Sequence, residues 1–321
     1  MLYCNTFFLT FTLINPKTMK MFSNIFICTL LLLSCKNDDD TTNPNTIDIV
    51  GVTYSKSTKD FKTTDATIVN ALELARPVGI VAQVNHSTNA ASIEKKLDST
   101  KVIFFGNPSL GTPLMQANQL VGLDLPQKLF IWKDPKNTVR VGFNNTSYLK
   151  ARHGLKDSKA LNTIHTALTN FTNTVGDTSF TSNNAESITK GEGIITKTST
   201  KKFEETYNAL LTAIKGNENL KLIAELNHQE NAASVNMQLN PTRLIIFGNP
   251  NLGTPLMQNA QNTGIDLPQK FLVWEDNNGK VMVSYNDPVF LKSRHKITNN
   301  DNILTTIAGA LDKLSTVATG L

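Results

Sequence analysis

Two long segments of this chain carry the same residues at a constant offset. Residues 105–116 read FGNPSLGTPLMQ, and residues 247–258 read FGNPNLGTPLMQ. The offset of 142 residues holds without a gap when residues 85–153 are aligned with residues 227–295. A repeat of this length predicts two copies of one folded unit rather than a solenoid of short repeats. We call the copies repeat one and repeat two.

The apolar pattern within each copy alternates between strand and helix periods. In repeat two, Phe203, Tyr207, Leu210 and Ile214 form one helical stripe, which predicts core packing. The patterns of repeat one predict strands over 49–54, 79–84, 102–105, 129–132 and 139–143, a helix around 61–72, a short helix over 89–97 and a hairpin turn at 134–137. We therefore predict an α+β unit of order β-α-β, short helix, β, loop, β-hairpin and C-terminal helix. The sheet should be mainly antiparallel, with helices on one face.

These patterns also divide the chain. We expect a signal segment over 1–35, a flexible tether over 36–48, a first domain over 49–172, a linker over 173–192 and a second domain over 193–319. The linker is rich in Ser, Asn, Thr and Gly, and we expect it to be flexible unless the two domains dock on each other.

The N-terminal segment resembles the signal of a bacterial lipoprotein. A basic stretch beginning at Met19, the expected start of translation, precedes an apolar run that ends at Leu33-Ser34-Cys35. Cleavage before Cys35 would leave a lipidated thiol, so the expected partner is a membrane. The aspartates at 38–40 resemble a surface-export signal. We expect an envelope protein anchored in the outer membrane, with surface display favoured over the periplasmic leaflet.

Composition excludes several other classes of protein. The chain has three cysteines, and removal of the signal segment and lipidation of Cys35 leave no thiol for a disulfide or a cysteine metal site. The net charge is only +5, with no Lys/Arg-rich run, which argues against nucleic acid as a partner. We predict no cofactor and no metal site.

The Gly-Thr-Pro motif is the segment best suited to bind a ligand. Thr112 fits a helix N-cap and Pro113 the first helical position, as do Thr254 and Pro255 in repeat two. Free N–H groups at such a helix start attract anions. The alternative is a capped turn with no ligand.

Four histidines fall in equivalent pairs, and two of them follow arginines. An Arg fork beside an imidazole could bind a carboxylate or phosphate, although their presence in both copies is also what a duplication leaves. The candidate ligand-binding residues are Asn85, His86, Asn107, Thr112, Met115, Arg152, His153, Asn227, His228, Asn249, Thr254, Met257, Arg294 and His295. No catalytic motif is recognisable, and Asp124 and Asp266 are interpreted as turn residues.

The motif at 105–116 and 247–258, together with Asn85-His86 and Asn227-His228, resembles the signature of the DUF302 family. This chain has Asn where that family usually has Asp at positions 85 and 227. The resemblance implies a small fold similar to the TATA-binding-protein-like β-α-β(4)-α arrangement, able to pair side by side, and implies no settled activity. A tandem chain could supply such a pair internally.

Three functional interpretations stay open. The first is a lipid-anchored, non-catalytic protein in which each copy binds a small anionic or amphipathic molecule near its helix start and Asn-His segment. The second is an envelope enzyme that uses His86 and His228 with Arg152 and Arg294. The third is a structural or protein-interaction module with internally paired domains.

Overall fold

Each repeat builds one antiparallel sheet in the computed structural model of the chain, which describes residues 47–321. The predicted signal segment, Cys35 and nearly all of the predicted tether lie outside the described residues. No helix within 47–321 combines the length and apolar character that a membrane crossing requires.

Repeat one forms its sheet from six strands. Its elements are β1 (Val52–Ser57), α1 (Phe61–Leu74), β2 (Gly79–Asn85), α2 (His86–Ala91), β3 (Thr100–Gly106), α3 (Pro108–Ala117), a 3-10 helix (Gln119–Leu123), β4 (Gln127–Lys133), β5 (Val139–Asn144), α4 (Thr146–His153), α5 (Lys159–Asn173) and β6 (Gly176–Ser182). The strand order is β2-β3-β4-β5-β1-β6.

Repeat two follows the same path with five strands. Its elements are β7 (Ile194–Thr198), α6 (Phe203–Lys215), β8 (Lys221–Asn227), α7 (His228–Ala233), β9 (Thr242–Gly248), α8 (Pro250–Asn259), a 3-10 helix (Gln261–Ile265), β10 (Gln269–Glu275), β11 (Val281–Asn286), α9 (Pro288–His295) and α10 (Asp301–Thr319). The strand order is β7-β11-β10-β9-β8, and every pairing in both sheets is antiparallel. The predicted α+β class and antiparallel sheet are confirmed.

The long helices of each repeat, α1 and α5 in repeat one and α6 and α10 in repeat two, pack on one face of its sheet. In repeat two the predicted stripe of α6 is buried, with Leu210 and Ile214 fully inaccessible, against strand residues such as Ile245. In repeat one, Ile68 and Leu72 of α1 pack in the same way against Ile103. Apolar burial on this face stabilises each sheet–helix layer.

The opposite faces of the two sheets pack against each other. Val102 and Phe104 of β3 share one apolar cluster with Leu244 and Ile246 of β9. Residues of β3 therefore alternate, since Ile103 points to the helices and its neighbours point to the other sheet. The described chain thus has a core in each repeat and a third core between the repeats.

The helix after β3 begins earlier than the sequence analysis predicted. Asn107, not Thr112, is the N-cap of α3, because its side chain accepts from the backbone N–H of Ser109, and Pro108 occupies the start of the helix. Pro113 lies inside the helix. The equivalent correction applies to repeat two, where Asn249 rather than Thr254 caps α8. Asn is the better N-cap, and the earlier start gives a ten-residue helix.

The segment assigned to the linker contains β6. This strand pairs with β1, with Tyr54 opposite Thr181, and Thr53 Oγ1 lies 2.7 Å from Ser182 Oγ. Pairing with β1 satisfies backbone groups that would otherwise lie at the edge of the sheet. This part of the connection is therefore a sixth strand of the first sheet.

Candidate functional site

Two cavities of nearly equal size lie at equivalent positions in the two repeats. Cavity I, of about 300 Å³, lies against α3 and α5. Cavity II, of about 310 Å³, lies against α8 and α10. Both volumes fall at the lower end of the range of small-molecule sites.

Each cavity takes its walls from both repeats. His86 of repeat one lines cavity II together with Thr254 and Met257 of repeat two. In the same way, His228 of repeat two lines cavity I together with Thr112 of repeat one. The expectation that each copy forms a pocket from its own helix start and its own Asn-His segment is wrong. The docking of the two sheets brings the Asn-His segment of one repeat to the Gly-Thr-Pro helix of the other.

The walls of both cavities are mainly apolar. Cavity II is bounded by side chains of β8, α8 and α10, among them Leu222, Leu252 and Leu311. Cavity I has the same character, with Ile80 and Phe171 among its lining residues. Such walls favour an apolar body in the ligand, because its transfer from water is favourable.

Buried polar atoms without a partner lie in the walls of both cavities. Thr254 Oγ1 and both side-chain polar atoms of Gln269 make no hydrogen bond within the described chain, and both residues line cavity II. In cavity I the same holds for Thr112 Oγ1 and Gln127 Nε2. Buried polar groups are nearly always hydrogen-bonded in proteins, so these atoms offer hydrogen-bonding positions to water or to a ligand group in each cavity.

The two cavity histidines are uncharged at neutral pH. Burial lowers the pKa of His86 to about 4, although its hydrogen bond with the Gly264 carbonyl opposes this shift. The ring Nε2 donates to that carbonyl at 3.2 Å, across the repeat interface. Burial also lowers the pKa of His228 to about 4. Neither histidine therefore attracts an anion by charge.

The asparagines among the candidates are helix caps. Asn85 Oδ1 accepts from Thr88 N at 3.0 Å, and Asn227 Oδ1 accepts from Glu230 N at 3.1 Å. Asn107 caps α3 in the same manner. These side-chain oxygens already have a donor, so their first role is to satisfy the helix ends.

The predicted Arg-His pair of repeat one lies in a buried charge cluster and lines neither cavity. Arg152 Nη1 donates to Asp124 Oδ2 at 2.8 Å, and His153 Nε2 lies 2.8 Å from the same oxygen. Arg152 Nη2 also donates to Asn286 Oδ1 of repeat two at 2.9 Å. Lys270 Nζ, also from repeat two, lies 3.9 Å from Asp124 Oδ1.

Repeat two forms the equivalent cluster. Arg294 Nη1 donates to Asp266 Oδ2 at 2.6 Å, and His295 Nε2 lies 2.8 Å from that oxygen. Lys128 Nζ donates to Asp266 Oδ1 at 3.1 Å, and Arg294 Nη2 donates to Asn144 Oδ1 at 2.8 Å. Each cluster therefore joins the two repeats.

The electrostatics of the clusters follow from this pairing. Burial disfavours the ionised form of Asp124, but Arg152, His153 and Lys270 hold the pKa of this carboxyl well below its usual range. Burial and the nearby Lys128 lower the pKa of Lys270 to about 7. The guanidinium groups are saturated by these partners, which removes them as ligands for an anion in either cavity. The placement gives no support to an enzyme that uses these arginines with His86 and His228.

Asp124, Asp266, Lys128 and Lys270 are the important residues that sequence reasoning missed. The sequence predicts turn residues at Asp124 and Asp266 and assigns no role to the two lysines, whereas all four side chains are buried in the charge clusters. The available signal was the motif Asp-Leu-Pro-Gln-Lys, which is present in both copies. Within residues 47–321, no group of three or more His, Cys, Asp or Glu side chains is arranged to hold a metal ion.

Comparison with known proteins identifies the repeated unit. The family described as "Domain of unknown function DUF302" matches residues 53–171 and 195–314. The fluoride-specific ion channel FluC 1 of Brucella suis biovar 1 (strain 1330) is 38% identical over 105 residues, which are 33% of this chain and 41% of the relative. FluC 2 of Brucella melitensis biotype 1 is also 38% identical over 105 residues, covering 33% of this chain and 38% of the relative. The chain thus spans less than half the length of these curated relatives.

A solved structure of the same family is also similar. The crystal structure of an uncharacterized conserved DUF302 protein from Bacillus stearothermophilus has 19% sequence identity and a TM-score of 0.33. The match covers 40% of this chain and 97% of that protein.

Proposed function

The chain belongs to the DUF302 family, whose function is unknown, and we propose that it is a non-catalytic binding protein with two cavities for small amphipathic molecules. The observation that carries this proposal is the unpaired Thr254 Oγ1 and Gln269 side chain in the wall of an apolar cavity, repeated at Thr112 and Gln127. The apolar wall accommodates a hydrocarbon body. The unpaired groups would bind a head group that can both donate and accept hydrogen bonds.

The cavity volume limits the size of the ligand. At roughly 30 Å³ for each non-hydrogen atom, the share of a water molecule in the liquid, a cavity of this size holds about ten such atoms. Octanamide has this size, an apolar chain and an amide that both donates and accepts. It is therefore a suitable probe.

The test uses variants that separate binding from stability. Thr112→Val and Thr254→Val remove hydroxyl groups that have no protein partner, so neither variant should lower the free energy of unfolding. Each variant should weaken octanamide binding in its own cavity by about 2- to 12-fold, the value of one hydrogen bond of 0.5–1.5 kcal/mol. Isothermal titration calorimetry on the full chain measures the affinity, and urea unfolding measures the stability.

Thr64→Val is the matched control. Thr64 is equally buried, but its Oγ1 lies 2.7 Å from Ser57 Oγ and its side chain lines neither cavity. This variant should lose stability and keep octanamide binding unchanged. Absence of octanamide binding to the wild-type chain, or binding that both cavity variants leave unaltered, would contradict the proposed function.

We further propose that lipid on Cys35 holds the protein at the outer membrane, with the domains on the cell surface. The support is the signal-like segment that ends at Cys35 and the acidic residues that follow it. Cys35→Ser should abolish incorporation of labelled palmitate and release the protein from the membrane fraction, whereas Cys28→Ser should change neither. Protease treatment of intact cells tests surface display. If the wild-type chain is protected from the protease in intact cells, the proposed display on the cell surface is wrong.

A further inference from the structure

The two cavities differ in charge at one equivalent position. Lys221, the first residue of β8, lines cavity II, and Gly79, the first residue of β2, lines cavity I. Lys221 is the single Lys, Arg, Asp or Glu residue in the lining of cavity II, whereas the lining of cavity I has none. The apolar walls and the Thr-Gln pairs are otherwise similar in the two cavities.

The charge of Lys221 is available to a ligand. Its side chain is exposed and makes no ion pair or hydrogen bond in the part of the chain that the structure describes. The acidic residue on the same strand, Glu225, already accepts from Tyr207 Oη at 2.6 Å and pairs with Lys215 at 3.5 Å. No carboxylate in the lining competes for the Lys221 ammonium group.

Strand register brings Lys221 to the polar end of cavity II. Lys221 is opposite Gly248, the residue before the α8 cap Asn249. Gln269, which has two unpaired polar atoms, is opposite Phe247 on the neighbouring strand. Lys221, the start of α8 and Gln269 therefore lie at the same end of the sheet, with Lys221 and Gln269 paired to adjacent residues of β9 and so on opposite faces. The Lys221 ammonium group at the rim of cavity II and the N–H groups at the start of α8 favour a negatively charged group.

We propose that the two cavities have different specificities, such that cavity II binds an amphiphile with a carboxylate end group and cavity I binds an uncharged one. This inference rests on the proposed function, since it specifies the ligand class of the same cavities. The carboxylate contacts Lys221 at the mouth of cavity II. Cavity I offers only neutral hydrogen-bonding groups and binds an amide or alcohol head group.

The test compares octanoate with octanamide, which have the same chain and the same number of non-hydrogen atoms. Calorimetry on the full chain should show that octanamide binds at both cavities and that one cavity, cavity II, binds octanoate more tightly than octanamide. Lys221→Gln and Lys221→Gly should each lower octanoate affinity by about two- to fivefold, the value of an ion pair of up to about 1 kcal/mol at a partly exposed site. Octanamide affinity should stay unchanged, and the octanoate preference should decline in 0.5 M salt.

The reciprocal variant is Gly79→Lys. A Cβ atom at Gly79 has no neighbouring atom within 4 Å, so the added side chain has room. This variant should create a second octanoate site with a similar preference. If octanamide binds at two sites but neither exchange at position 79 or 221 alters the octanoate-to-octanamide affinity ratio, the inference about charge is wrong and the proposed function stands. If neither probe binds the wild-type chain, the proposed function itself is wrong.

Discussion

Replacement of Asp124 by Asn tests how strongly the buried charge clusters stabilise the chain. Asp124 Oδ2 accepts from Arg152 and lies within hydrogen-bond distance of His153, while Lys270 approaches its other oxygen. Asparagine preserves the size of the side chain but removes its negative charge. The variant therefore leaves the Arg152 guanidinium buried beside a neutral amide.

The expected loss of stability is large. Two unit charges 2.8 Å apart, as Arg152 and Asp124 are, attract each other by about 6 kcal/mol at an effective dielectric constant of ~20. The lost solvation of both ions offsets part of this attraction. Removal of one partner from a buried pair costs about 3–5 kcal/mol. Since a folded domain has about 5–15 kcal/mol in total, Asp124→Asn should fold with a much lower denaturation midpoint.

Urea unfolding of the full chain, followed by far-UV circular dichroism, measures this loss through the midpoint and slope. The matched control is Asp157→Asn, which breaks the exposed ion pair between Lys150 and Asp157. An exposed pair of this kind contributes about 0–1 kcal/mol. If Asp124→Asn loses no more stability than Asp157→Asn, then removal of the Asp124 carboxylate does not leave an uncompensated buried charge, and the reasoning is wrong.

Two further predictions concern the contact between the repeats and its pH dependence. A Cβ atom at Gly264 would lie 2.7 Å from the Phe130 ring of the other repeat, so Gly264→Ala should lower the free energy of unfolding by about 1–3 kcal/mol. The control Gly79→Ala places its Cβ atom where no other atom lies within 4 Å, so it should leave the free energy of unfolding unchanged. Equal losses for the two variants in urea unfolding would contradict the close approach at Gly264. The unfolded chain protonates His86 and His228 near pH 6.5, whereas the folded chain does so only near pH 4. The unfolded state therefore binds more protons between these values, and stability should fall as the pH drops from 6.5 to 4, by up to about 3 kcal/mol for each histidine. Replacement of both histidines by Gln should flatten this slope in unfolding titrations, and an unchanged slope would refute the assignment.

The elements of each repeat could be predicted from the sequence because their signals are local. The helical stripe from Phe203 to Ile214 and the turn residues at 134–137 specify a helix face and a hairpin without reference to the rest of the chain. The first residue of α3 is harder to predict, since Asn107-Pro108 and Thr112-Pro113 both fit an N-cap followed by proline. Only the packing of the helix decides between them.

The composite cavities could not be predicted from either repeat alone. Their geometry depends on how the two sheets dock, which is a contact between residues far apart in sequence. One signal for that docking was present. The runs at 102–105 and 129–132 are apolar at every position, as is typical of strands buried on both faces, whereas a sheet with one solvated face alternates. That the Thr and Gln side chains of the cavities lack hydrogen-bond partners cannot be predicted from sequence, because it depends on which residues surround them in the fold.

The buried charges and the cavities depend on the same docking. An apolar interface tolerates sliding, whereas the crossed contacts of Lys128 with Asp266 and of Lys270 with Asp124 are satisfied in one register only. That register also fixes which residues of one repeat meet the helix of the other in each cavity. In a symmetric dimer of identical single-repeat chains, every substitution would occur in both cavities. Fusion of the two repeats in one chain removes this constraint, and Lys221 can therefore change the chemistry of one cavity while Gly79 leaves the other neutral.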